Sequence, residues 1–102
     1  MSKVIRLETV PMDHSIIKFH EPLLVPFEIL DEGTTWEYYY SKLKKIDVLA
    51  TGTNLEEFHN CLQSDMRLTW ERVCHKPESK LTPKDKEIRR QFRKLAEEIN
   101  IG

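Results

Sequence analysis

The chain has 102 residues, of which 39% are apolar and 32% charged, a balance that suits one small folded domain and excludes a disordered polyelectrolyte. The formal net charge of −1 excludes a strong overall pull toward nucleic acid or acidic membranes. No apolar run approaches the roughly 20 residues of a bilayer span, and the N-terminus lacks the apolar stretch of a secretion signal.

The two cysteines, Cys61 and Cys74, lie outside any C-x-x-C and fit a reducing, cytoplasmic setting. Acidic residues outnumber basic ones before residue 75, and the order reverses after it. Such an asymmetry can mark a basic segment with its own partner.

In chain order, Lys3 to Val10 alternates as a strand with Ile5 and Leu7 on one face, and Ser15 to His20 reads as a second, with Ile17 and Phe19 on one side. Pro22 and Pro26 push Leu23–Leu30 to a sheet edge, or delay its start until after Pro26, because proline cannot donate to a ladder. Asp31-Glu32-Gly33 is a turn. The β-branched and aromatic return run Thr34–Ser41 favours a strand, with Trp36, Tyr38 and Tyr40 toward a covering helix and Glu37, Tyr39 and Ser41 toward water or a partner. Lys42 to Lys45 makes a polar corner, and Ile46 to Thr51 reads as a further strand.

At Gly52 the period changes from strand to helix. Thr53 and Glu56 have the spacing of a capping box, and Gly52 suits an unusual backbone angle ahead of it. Leu55, Phe58, Leu62, Met66, Thr69 and Val73 recur at helical steps, so a helix of about five turns is expected from about Asn54 to Cys74. After a linker at His75–Lys80, Thr82 and Pro83 open a second amphipathic helix that carries Ile88, Phe92, Leu95 and Ile99 on one stripe and ends near Asn100. The expectation is a single α+β domain over residues 1–102. It consists of a small antiparallel sheet of about three to five strands covered by one long helix, plus a C-terminal amphipathic helix.

Three stretches carry a family resemblance: Phe27–Gly33, Trp36–Tyr40 and Val48–Glu57. Together they resemble the HicB-like antitoxin domain over residues of about 24–73, in which three strands lead into a long helix. The resemblance implies a β-β-β-α core at 24–74, often dimeric, that binds and masks a small RNA-cleaving toxin. Family members commonly add a C-terminal DNA-binding motif, whereas residues 82–99 here offer one helix.

Candidate sites follow from residue type and spacing. Cys74 and His75 are adjacent on a helix end and point about 100° apart, which does not make a nucleophile and base. Glu56-x-x-His59 is a single copy of a pattern that di-iron bundles need twice, so no catalytic residue, metal or cofactor is expected. Lys86, Arg89, Arg90 and Arg93 form a basic helical stripe suited to phosphates. Asp31, Glu32, Glu37 and Tyr39 form an acidic and aromatic set suited to a basic protein partner, with Cys61 and Leu68 as a second weakly apolar spot for a homodimer. A non-enzymatic binding protein of the antitoxin kind is therefore expected, with a nucleic-acid-binding regulator acting through the basic C-terminal helix as the alternative.

Overall fold

Residues 3–101 of the computed structural model are described below. They form β1 (Val4–Pro11), β2 (Ser15–Pro26), β3 (Glu28–Leu30), β4 (Tyr38–Leu43), β5 (Val48–Gly52), α1 (Leu55–Cys74), α2 (Pro83–Leu95) and β6 (Ala96–Asn100). The α+β architecture has two antiparallel three-stranded sheets, ordered β1-β2-β6 and β3-β4-β5, in place of the one sheet expected.

The N-terminal strands run longer than their prolines suggest. Leu7 opposes Leu23 and Thr9 opposes Lys18, so Phe19 to Pro22 of β2 stand against Glu8 alone. This bulge accommodates Pro22, which has no N–H to give. The run Leu23–Leu30 is divided: its first part finishes β2, and only Glu28–Leu30 joins the second sheet. Phe27 joins the two, its ring 5.8 Å from that of Tyr39 and 5.2 Å from that of Phe58.

The helix α1 covers the inner faces of both sheets. Phe58, Leu62, Met66 and Trp70 pack with Leu7, Val10, Ile17 and Val25 of the first sheet and with Val48 and Ala50 of the second, in one continuous cluster. The cap lies one residue later than the T-x-x-E spacing suggests. Asn54 Oδ1 accepts the Glu57 amide at 2.9 Å, and Glu57 reaches back to the Thr53 hydroxyl at 2.6 Å. Gly52 serves packing instead of an unusual backbone angle: a Cβ there would lie 2.4 Å from the Phe58 backbone nitrogen. The outer edge of β5 is closed by α1, because Asp65 Oδ2 accepts the Leu49 amide at 2.8 Å and Cys61 Sγ takes the Thr51 amide at 3.5 Å. Edge amides satisfied in this way do not recruit another strand.

The C-terminal helix is shorter than expected. Thr82 caps it and Pro83 opens it, but it ends at Leu95, and Ala96–Asn100 forms β6 against Ser15–Phe19 of β2. The competing demand is the open edge of β2, whose unpaired backbone groups gain a full ladder from these residues. Ile88 and Phe92 stay on the buried stripe, with Phe92 edge-on to Trp70 at 5.0 Å, while Ile99 leaves the helix for the sheet. Arg72 ties the corner together through Asp47 at 3.2 Å and Asp85 at 3.0 Å.

Candidate protein interface

The inner face of the second sheet is filled, and its outer face is open. Cross-strand partners share a face, so the pairs Leu30–Tyr38 and Glu28–Tyr40 lie on one side and Ile29–Tyr39 on the other. Tyr39 belongs to the inner side, with its ring 6.2 Å from that of Phe58. Burial, followed by the neighbouring Glu37 carboxylate, pushes its phenol above the ordinary range. The expected facing is therefore reversed: Tyr38 and Tyr40 look outward, while Tyr39 and the buried Ser41 look in. Packing of Phe27 and Phe58 on Tyr39 decides between two aromatic sides that composition alone cannot rank.

The outer face carries Leu30, Tyr38 and Leu49, which are 47%, 38% and 45% exposed. At its head stands Trp36, 80% exposed and outside the strand expected to begin at Thr34. The turn that presents Trp36 is tightly tied. Asp31 and Gly33 hold left-handed backbone angles of 52° and 85°. The Thr34 hydroxyl donates to the Asp31 carbonyl at 2.7 Å and accepts the Trp36 amide at 3.1 Å. Glu37 accepts the Gly33 amide at 2.9 Å, and Lys3 pairs with Glu32. Trp36 is thus shown to solvent from a preorganised loop, the arrangement in which a large aromatic contributes most to binding because little ordering remains to be done.

The expected partner set divides accordingly. Asp31 and Glu32 are exposed beside Trp36, Glu37 is engaged in holding the turn, and Tyr39 is part of the core packing. Trp36, Tyr38 and Leu30 were missed as outward residues, although a tryptophan next to an acidic glycine turn was the available signal. Cys61 borders the core, and Leu68 is exposed on α1.

The four basic residues do share one side of α2. They line a shallow groove of about 560 Å³ together with Lys94, Glu78 and Glu87. Arg90 is clamped by Glu87, whose carboxyl is held down to about 2 by hydrogen bonds from Arg90 and Gln91, and Arg89 pairs with Glu78 at 3.4 Å. Lys86 and Arg93 have no carboxylate partner among the described residues. The short 3-10 turn Lys44–Ile46 packs against α2 and buries Ile46.

Around β6, Glu98 accepts the Trp70 indole N–H at 2.8 Å and the Ser15 hydroxyl at 2.9 Å, and lies 2.6 Å from His75 Nε2. Burial alone would raise its carboxyl, but these hydrogen bonds outweigh it and lower the pKa. Burial pushes the neighbouring Cys74 thiol up, with Arg93 only partly offsetting it, which disfavours the thiolate that nucleophilic chemistry requires. Among the described residues no three His, Cys, Asp or Glu side chains converge on a metal position, and no helix is long and apolar enough to cross a membrane. Comparison with family models, curated proteins and solved structures finds no match to this chain.

Proposed function

We propose that this chain is a non-catalytic binding protein that docks a small basic protein on the outer face of β3-β4-β5. The observation that carries the reading is Trp36, exposed on a braced turn two residues before the exposed Tyr38 of β4. Tryptophan is enriched among the residues that anchor protein interfaces. Glu28 and Asp31 are exposed near these side chains, with Glu32 paired to Lys3 beside them, and the two carboxylates left unpaired among the described residues favour a cationic partner through faster encounter and correct orientation. The resemblance of residues 24–73 to HicB-like antitoxins narrows the partner to a small RNA-cleaving protein, masked by occlusion with no bond made or broken.

The test is co-purification with the product of the adjacent gene, followed by an RNA-cleavage inhibition assay. A complex that inhibits cleavage and weakens about tenfold or more in Trp36→Ala supports the reading, in line with anchor residues of about 2 kcal/mol or more. Absence of a complex with a basic neighbour removes it.

A second reading rests on the basic side of α2, where Lys86, Arg93 and Lys94 line one groove. It assigns that groove to the phosphate backbone of a nucleic acid. Affinity would then fall steeply with salt, and Arg89→Ala with Arg93→Ala would lower the salt slope by about one for each phosphate left without its cation. Binding indifferent to both changes rules it out.

A further inference from the structure

We propose that residues 96–100 are a two-state strap: strand β6 on the edge of β2 in the closed form described above, and a further turn of α2 in an open form that leaves that edge bare. The strap belongs to the first sheet, so it does not depend on what docks on the second.

Three observations point to it. The first is a conflict between local preference and the structure. Of Ala96, Glu97, Glu98, Ile99 and Asn100 only Ile99 is a residue that strands favour, whereas alanine and glutamate are good helix formers. No glycine or proline stands between Leu95 and Ile101 to stop the helix. The Ala96 amide still donates to the Phe92 carbonyl, as a continuing helix requires. The strand begins at that same residue, where the backbone turns to φ −153° and ψ 167° with no loop between the two elements. Rotation that begins at Ala96 therefore converts one form into the other.

The second is that few groups hold the closed form. Ala96 is the one fully buried residue of β6, and it lies four residues after the buried Phe92, on a face that a longer helix also turns inward. What belongs to the strand alone is its ladder and the Glu98 node. The Ile101 amide donates to the His14 carbonyl, so by alternation the pairs Ile16–Ile99 and Lys18–Glu97 exchange backbone hydrogen bonds. Among the described residues, the bonds of Glu98 to Trp70, Ser15 and His75 are the only side-chain hydrogen bonds that β6 makes.

The third is that the open form has contacts waiting for it. Helical continuation sets Ile99 four residues beyond Leu95, on the stripe of Ile88 and Phe92. Leu95 is 37% exposed and, with Lys94 and residues 19–23 of β2, walls a recess of about 320 Å³. The same continuation sets Glu97 four residues from Arg93 and Glu98 four from Lys94, the spacing of helical ion pairs. In the closed form neither cation has a carboxylate partner among the described residues.

Two substitutions in the full chain separate a switch from fraying. Glu98→Ala removes all three ties of the node and keeps a strong helix former, whereas Glu98→Gly removes the same ties and disfavours helix. The Cα chemical shifts of residues 97–100 in solution read the outcome. In the parent they are expected to have the sign of strand, with the open form a minority of about 0.1–10%. In Glu98→Ala they are expected to change to the sign of helix, while the Ile16 and Lys18 amides exchange with solvent about tenfold or more faster. In Glu98→Gly those amides are expected to be released as well, but the shifts fall to coil values. Unchanged shifts in α1 confirm that the rest of each variant is folded. Coil values in both variants would mean that the segment only frays, and strand values retained in Glu98→Ala would mean that the node does not hold the balance. Either result overturns the proposal and leaves the function proposed above untouched.

Discussion

Gly52 bears the tightest steric demand at the strand-to-helix junction. A methyl group there would meet backbone atoms of Glu57 and Phe58 that cannot swing aside. Gly52→Ala is expected to lower stability by about 2–3 kcal/mol, the cost of forcing an added carbon into packed backbone, measurable as an earlier urea midpoint. The glycine was legible in the sequence, but its reason was not. A G-T-N run at the end of a strand looks like a demand for backbone freedom, and close approach of a helix is visible only once Phe58 is placed. The aromatic run shows the same limit. Trp36-Glu37-Tyr38-Tyr39-Tyr40 has a large ring on both parities, so alternation does not reveal which side is buried, and the choice falls to Phe27 and Phe58, far apart in the chain. Tyr39→Ser should therefore behave as a core truncation and cost about 3 kcal/mol. The same change at Tyr38 should stay within about 1 kcal/mol and act on association.

Elements with a local cause were readable. α1 has an unbroken apolar stripe and its own cap, and it begins and ends within one residue of expectation. β6 was not readable, because Ile99 continues the helical stripe of Ile88, Phe92 and Leu95, and Glu97 and Glu98 are good helix formers. What ends the helix is the edge of β2, more than seventy residues earlier in the chain, together with the three groups gathered on Glu98. That node makes the attachment of β6 sensitive to acid. The folded pKa of Glu98 is below the ordinary carboxylate value, so its contribution is present above the unfolded value of about 4.3 and is lost as the pH falls through the lower folded one. Glu98→Gln is expected to remove about 1–2 kcal/mol at neutral pH, the net worth of hydrogen bonds to a charged acceptor. The difference from the parent should shrink in urea titrations below about pH 4. An equal difference at all pH values would show that the carboxylate charge is not what holds β6.

At the scale of the molecule, the question is whether two sheets behave as one body. They share no ladder among the described residues, and the chain passes from one to the other through Phe27. Yet α1 lies on both, the buried cluster runs without a break from Leu7 and Val25 through Phe58 and Met66 to Val48, and Arg72 holds Asp47 and Asp85 across the corner. Neither sheet keeps a covered face once α1 leaves, so separate unfolding would expose apolar surface on both parts without releasing either from its cost. One cooperative transition is therefore expected. The two tryptophans make it testable, because Trp70 is buried against Phe92 while Trp36 is already in water. In Trp36→Phe, tryptophan fluorescence reports Trp70 alone. Its urea transition should coincide with that of far-ultraviolet circular dichroism, in midpoint and in slope. A helix signal that persists after Trp70 has reached water would mean that the first sheet and β6 open as a unit of their own, with the second sheet and α1 remaining folded beneath the interface they carry.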